Sequence, residues 1–284
     1  MPEQVIEPPS KLQAWVQASR PKTLTAAATP VVVGTAIAMA NDSFRLSAAL
    51  AALYCAVAIQ IGTNIFNDVM DFKRGADTHE RTGPLRVTQA GWLPAASVLR
   101  GALIVFASAA LVGLYLFLLA GWPVLVLGLF SILAGLAYTA GPSPLAYNGF
   151  SDLFVMIFFG FVAVGGTVYV QMGSLPSAAW FAAGAVGSTI TALLVVNNIR
   201  DIETDRQAGR RTIPVIIGRD LAIVEFVGLL ALAFMLPAAA ALGGWAPVGV
   251  LSSWLAIPMA VLVFRKLARA EGKALNEVLA MMAR

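Results

Sequence analysis

The hydrophobic positions of this chain fall into eight long runs separated by shorter polar segments. Each run approaches the roughly 20 apolar residues that cross the hydrocarbon core of a bilayer. No run alternates between apolar and polar residues, as a barrel strand would, so we predict membrane-spanning helices whose backbone groups are satisfied internally. The runs cover residues 23–40, 47–66, 97–120, 122–138, 153–170, 177–196, 221–242 and 245–264. The predicted fold class is therefore an all-α integral membrane bundle, and a ninth apolar stretch at 275–282 is too short to cross.

The composition is typical of a membrane protein, and it argues against a disulfide or a structural zinc site. Hydrophobic residues make up 59% of the chain and charged residues 12%, whereas about a quarter of a soluble domain is charged. The lone Cys55 allows no internal disulfide and no structural zinc site, so we interpret it as a core residue. Arg20 and Lys22 before an apolar run imitate a signal peptide, but Pro30 and the long preceding tail argue against one. We expect a cytoplasmic N-terminal tail at 1–22 and a single transmembrane domain at 23–284.

The basic residues predict the orientation of the bundle. Lys and Arg concentrate in the tail, in the segments after spans two and six, and after span eight, while the opposite loops carry only Arg45. The positive-inside rule then places both termini and both long polar loops at the cytoplasmic face of the membrane. The net charge of +4 therefore reflects topology and does not indicate nucleic-acid binding.

Acidic residues concentrate in two short motifs, at 64–86 and 197–212, which hold seven of the fifteen Asp and Glu residues. In each motif an Asn precedes an Asp by four residues, as Asn64 precedes Asp68 and Asn197 precedes Asp201. That spacing aligns the side chains on one face of a helix end. A second Asp follows three or four residues later in each motif, at Asp71 and Asp205.

Paired carboxylates on one helix face repel each other unless they share cations. Oxygen ligands from Asp and Asn suit Mg²⁺, whereas zinc is disfavoured because the chain has only one His and one Cys. Arginines interleaved with the acids suit a diphosphate bridged by metal. The alternative is that these are solvated loops that only orient the protein, but their repetition on one face favours a site.

At these residues the sequence resembles the UbiA superfamily of membrane prenyltransferases, and within it the branch acting on 1,4-dihydroxy-2-naphthoate in menaquinone synthesis. The resemblance covers most of the chain. Gly75 stands where relatives acting on 4-hydroxybenzoate carry a third Asp, and this favours the naphthoate branch. The other matching positions are 20–24, 64–77, Arg81, Gly83, Pro84, Arg86, Gly141, Pro142, Pro144, Leu145, Asn197, Asn198, Arg200, Asp201, Asp205 and Gly209.

This resemblance implies a ring of nine helices around a central cavity, capped by two cytoplasmic loops, with polyprenyl diphosphate and dihydroxynaphthoate as substrates. We predict two Mg²⁺ ions, one held by Asp68 and Asp71 and one by Asp201 and Asp205, with Asn64 and Asn197 as further ligands. The same four aspartates are the candidate catalytic residues. The candidate substrate-binding residues are Lys22, Asn64, Asn67, Arg74, Asp77, Arg81, Arg86, Tyr138, Asn197, Asn198 and Arg210.

Several assignments stay open at this stage. Asp77 is either a third metal ligand or an acceptor contact, and His79 is interpreted as a solvated loop residue. Tyr138, Tyr147 and Tyr169 lie near span ends, where an aromatic belt is the ordinary explanation. Other acceptors (homogentisate, 4-hydroxybenzoate, a porphyrin or chlorin) remain alternatives, as do a secondary transporter and a membrane scaffold. Prenyl length and oligomeric state are undetermined.

Overall fold

The computed structural model describes residues 9–75, 83, 85–141 and 144–283. All regular structure in these residues is helical, and eight segments are long and apolar enough to cross a membrane. The predicted all-α fold and the count of eight spans are confirmed. The α-helices are α1 Lys11–Ser19, α2 Leu24–Ala40, α3 Leu46–Lys73, α4 Ala95–Ala120, α5 Trp122–Thr139, α6 Ser151–Val155, α7 Ala163–Met172, α8 Ser177–Arg200, α9 Ile202–Gln207, α10 Ile213–Ile217, α11 Arg219–Leu242, α12 Ile257–Arg269 and α13 Leu275–Met282.

Two spans combine different kinds of helix. A π-helical segment, Met156–Val162, joins α6 to α7, and a 3₁₀ segment, Val248–Ala256, leads into α12. The π segment packs against α8, where a side chain on Gly160 would meet the backbone of Ala183 and Gly187. Small residues let helix backbones approach closely within a membrane, where packing rather than hydrophobic burial drives association.

The helices differ in which surface they bury. On α4, Ile104, Leu111 and Leu118 are largely exposed, as expected for side chains that face lipid. On α8, Ala183, Val195 and Val196 are buried, and this helix packs against α11 and the π segment. Helix α8 therefore lies inside the bundle and carries the second acidic motif at its end.

The N-terminal segment differs from the predicted polar tail. Residues Lys11–Ser19 form α1, which begins with a capping box between Ser10 and Gln13. Ala14 and Ala18 are buried in a core shared with α3 and α4, and the ring of Trp15 lies over Gly101. These residues therefore form a docked helix within the predicted tail, because one face of α1 is apolar enough to pack against α3 and α4.

Helix α13 has eight residues and is too short to cross a membrane. Its Leu275 and Val278 are buried in a core formed with α8, α11 and α12. Within the described residues the bundle thus has eight candidate spans, and α13, which lies where the resemblance implied a ninth helix, packs beside the end of α8.

Candidate active site

Both acidic motifs line one cavity of about 1000 Å³. The cavity also receives residues from α1, from the end of α5 and from α13. Among the residues predicted from sequence, the following line it: Lys22, Asn67, Asp68, Asp71, Arg86, Tyr138, Asn197, Asn198, Asp201, Asp205 and Arg210. The four aspartates, from motifs far apart in the sequence, therefore lie around a single space.

The first motif is helical because α3 continues beyond its apolar run as far as Lys73. Asp68 lies on its last turns and is 2% exposed. Its two carboxylate oxygens accept hydrogen bonds from the backbone N–H groups of Val87 and Thr88, each at 3.0 Å. Asp68 thus holds the segment after the first motif against α3, and this contact places Arg86 at the cavity.

Asp71 lies one turn further along α3, and its carboxylate contacts two arginines. Its carboxylate accepts a hydrogen bond from Arg86 at 2.6 Å and forms an ion pair with Arg210 at 2.8 Å. The hydroxyl of Tyr147 donates to it at 3.5 Å. The side chains of Asp71 and Arg86 are 2% and 5% exposed, so this is a buried ion pair.

Arg210 connects the two motifs. Besides Asp71, it lies 3.6 Å from Asp205 in the second motif, and its guanidinium stands 4.8 Å from the centre of the Tyr147 ring. Burial lowers the pKa of Arg210, but the charges of Asp71 and Asp205 outweigh that effect and raise its pKa above the ordinary value. Arg210 therefore stays cationic, and its buried Nε makes no hydrogen bond within the described part of the chain.

The second motif is divided by a helix break. Helix α8 ends at Arg200, Asp201 caps it, and α9 carries the buried Asp205. Arg200 donates to both oxygens of Asp201, at 2.8 and 2.6 Å, and to the side-chain carbonyl of Asn197 at 2.8 Å. Since one guanidinium engages both side chains, Arg200 fixes their positions at the cavity.

The asparagines have different roles from one another. Asn67 accepts a hydrogen bond from the Thr139 hydroxyl at 2.6 Å and so joins α3 to the end of α5. Asn198 donates a hydrogen bond to the buried Asp152 at 3.5 Å. Asn64 donates to the Ser19 carbonyl and the Thr23 hydroxyl, both at 3.0 Å.

Asn64 does not line the cavity. Its amide points to the α1–α2 junction, and its carbonyl oxygen accepts from Gln60. The predicted roles of Asn64 as a metal ligand and a substrate contact are therefore not supported, because its polar atoms tether the start of α2.

The remaining predicted residues divide into two groups. Arg74 donates to the carbonyl of Gly141 at 2.5 Å and stands 5.3 Å from the Tyr147 ring, outside the cavity lining. Asp77, His79 and Arg81 lie outside the described residues, so the structure says nothing of their predicted roles.

Sequence reasoning missed Tyr147 and Thr139 as parts of the site, and it named Arg200 among the motif arginines without its contact to Asn197. Arg200 follows Asn197 by three residues, a helical spacing that could have predicted their contact. Tyr147 gave no such signal, because its neighbours at the site are distant in sequence and its place near a span end is typical of an aromatic belt.

The cavity lining supplies the oxygen donors that a divalent cation takes, but among the described residues no three acidic, His or Cys side chains stand close enough together to hold an ion as they are placed. The donor atoms are carboxylate and amide oxygens, the ligands that Mg²⁺ prefers. Asp68, although it accepts two backbone hydrogen bonds, retains acceptor capacity because each carboxylate oxygen carries two lone-pair sites. Several buried donors, including Arg210 Nε, stand at the same cavity and suit phosphate oxygens.

The pairing of Asp71 predicts the sign of a stability change. Asp71→Asn should lower the melting temperature of the detergent-purified protein by roughly 5 °C or more, because it leaves Arg86 and Arg210 without their shared counter-charge. Glu203→Gln is the matched control, since its pair with Arg206 is largely exposed. A higher melting temperature for Asp71→Asn would mean that repulsion among the acids outweighs the attraction of Asp71 to its two arginines, and it would contradict the prediction.

Comparison with known proteins places this arrangement in a family. The family model described as "UbiA prenyltransferase family" matches residues 27–283. A "1,4-dihydroxy-2-naphthoate octaprenyltransferase" of Escherichia coli is 39% identical over 74% of this chain and 70% of its own length. The Mycobacterium tuberculosis protein of the same name is 38% identical over 86% and 83%. The solved structure described as a UbiA homolog from Archaeoglobus fulgidus bound to GPP and Mg²⁺ has a TM-score of 0.71, 15% identity and 95% coverage of each chain. The chain is a multi-pass membrane protein that belongs to the UbiA prenyltransferase family.

Proposed function

We propose that this protein transfers a polyprenyl group from a prenyl diphosphate to 1,4-dihydroxy-2-naphthoate, with release of diphosphate and CO₂, as a step of menaquinone synthesis. The observation that carries the proposal is the meeting of both acidic motifs and their arginines at one cavity within an apolar bundle. The acceptor follows the names of the relatives, which exceed 30% identity over most of the chain.

The proposed chemistry begins at the allylic C–O bond of the prenyl diphosphate. This bond breaks, its electron pair leaves with the diphosphate, and an allylic cation remains. The ring carbon that bears the carboxylate attacks the cation, and the C–CO₂⁻ bond then returns its electron pair to the ring as CO₂ departs. Apolar helix walls around the cavity keep water from capturing the cation.

The four aspartates are proposed to hold Mg²⁺, Asp68 with Asp71 and Asp201 with Asp205. Bound Mg²⁺ supplies positive charge that stabilises the departing diphosphate. Arg210 is proposed to donate to diphosphate oxygens, because it is cationic and reaches both motifs. Lys22, Arg86, Asn67 and Asn197 complete the proposed diphosphate surroundings, and Tyr138 faces the cavity from the end of α5, where it can contact the acceptor.

The reaction itself can be tested with a panel of acceptors. Purified protein with a prenyl diphosphate, Mg²⁺ and dihydroxynaphthoate should yield a prenylated, decarboxylated naphthalenediol detectable by mass spectrometry. Chelation of Mg²⁺ with EDTA should abolish the product, and added Mg²⁺ should restore it. Product from homogentisate or 4-hydroxybenzoate, with none from dihydroxynaphthoate, would overturn the proposed acceptor.

The second motif allows a sharper test, because it offers acidic residues inside and outside the cavity. Asp205→Asn and Asp201→Asn should each lower kcat by about 100-fold or more. Each substitution removes a carboxylate proposed to hold the Mg²⁺ that stabilises the departing diphosphate. Glu203→Gln, in the same motif but largely exposed, should retain activity. Full activity in a folded Asp205→Asn protein would refute the metal assignment.

We also propose that the site opens to the cytoplasm, on the basis of the distribution of Lys and Arg. In a Cys55→Ser background, Arg100→Cys reports the site face and Asn41→Cys the opposite face, since both positions are exposed. An impermeant maleimide should label Asn41→Cys in right-side-out vesicles and Arg100→Cys in inside-out vesicles. The reverse pattern would contradict the orientation.

A further inference from the structure

A second concave site lies on the outer surface of the protein, between α12 and α13. It is a groove of about 580 Å³ whose charged lining residues are Arg265, Lys266, Arg269 and Glu277. The C-terminal end of α12 lies at the same face of the bundle as the ends of α3 and α8 that carry the acidic motifs. We refer to this feature as the basic groove.

The charges of the basic groove are poorly compensated. Lys266 lies 3.5 Å from Glu277, but these side chains are 47% and 78% exposed, so the pair is weak. Arg265 and Arg269 are four residues apart on α12 and therefore share one helix face. Within the described part of the chain neither arginine makes an ion pair or a side-chain hydrogen bond, so two adjacent like charges face the groove together.

An apolar surface continues from the groove along α12. Leu262 lines the groove and is 50% exposed, and Met259, Val261 and Phe264 are also exposed. Helix α12 buries only Val263 and Leu267. The basic side chains thus stand at the end of a lipid-facing helix surface, where a headgroup meets the hydrocarbon.

We propose that the basic groove binds the phosphate of an anionic phospholipid, with its acyl chains along the exposed apolar face of α12. Basic pockets between helices at the membrane surface recognise lipid phosphates, and guanidinium groups bind phosphate oxygens through paired hydrogen bonds. A soluble phosphate would use the arginines but not the apolar surface. A bilayer lipid satisfies both, and this is why we assign the groove to a lipid.

Helix α13 connects this groove to the cavity. Glu277 and Val278 of α13 line the groove, whereas Asn276, Leu279 and Ala280 of the same helix line the cavity. Asn276 accepts from Arg200 at 2.9 Å, and Arg200 also holds Asp201. A lipid that joins α12 to α13 therefore stabilises the helix that forms one cavity wall. The binding claim itself does not depend on the proposed function.

Lipid titration with native mass spectrometry tests the proposal. Detergent-purified protein is titrated with dioleoylphosphatidylglycerol, with dioleoylphosphatidylcholine and with inorganic phosphate. We expect phosphatidylglycerol to bind preferentially and to raise the melting temperature, and Arg265→Gln/Arg269→Gln to weaken its binding by about tenfold or more. Arg45→Gln/Arg100→Gln, which removes the same charge at exposed positions elsewhere, should bind the lipid as the parent protein does.

Three outcomes would overturn the proposal. Equal binding of phosphatidylcholine and phosphatidylglycerol would show that the arginines do not recognise the lipid phosphate. An equal loss in both double variants would show a general effect of net charge. An equal rise in melting temperature with inorganic phosphate, lost in Arg265→Gln/Arg269→Gln, would assign the groove to a soluble anion. Since all these readouts report binding, they are separate from any failure of prenyl transfer.

Discussion

The contact on which the candidate site depends is Arg210 between Asp71 and Asp205. It joins α3 to the segment after α9 through a buried guanidinium that both carboxylates keep cationic. Buried charges are costly unless they are paired, so the two motifs cannot separate without exposing or orphaning a charge. The same arginine stands over the ring of Tyr147, which reaches Asp71 as well. One residue therefore sets the distance between two motifs that the chain places far apart.

Much of the fold follows from the sequence because a bilayer imposes one length and one backbone solution on every span. The eight apolar runs became eight spans, and the four-residue spacing of Asn64 and Asp68 predicted a helical first motif. Contacts between segments distant in the sequence were harder to predict. Helix α1 was taken for a tail because its apolar face is short, and only the fold shows Trp15 over Gly101. Asn64 looked like a metal ligand by position, yet its amide is used by Ser19 and Thr23. The spacing of polar residues on a helix predicts which face they share but not what that face meets.

Helices α1 and α13 both contribute residues to the cavity lining, and each is held by a polar contact with an acidic motif. Asn64 fixes the α1–α2 junction, and Arg200 fixes α13 through Asn276. Both contacts originate within one helical turn of the aspartates that line the cavity. The positions of α1 and α13 are consequently coupled to those of the acidic motifs, so a displacement of either helix changes the surroundings of Asp68 or Asp201. This coupling explains why Asn64, which does not line the cavity, nevertheless lies inside the first motif.

The charge balance of the cavity bears on what it can accept. Among the described residues, four aspartates and five basic side chains (Arg20, Lys22, Arg86, Arg200 and Arg210) line it, so this part of the lining is close to neutral. In a region of low dielectric, addition of a bare divalent cation or a bare diphosphate would leave a large uncompensated charge. A diphosphate together with its magnesium adds little net charge, and its two components have separate partners among the carboxylates and the guanidinium groups. The mixed lining therefore favours the metal–diphosphate unit over either ion alone, and neither an all-acidic nor an all-basic lining would have that preference.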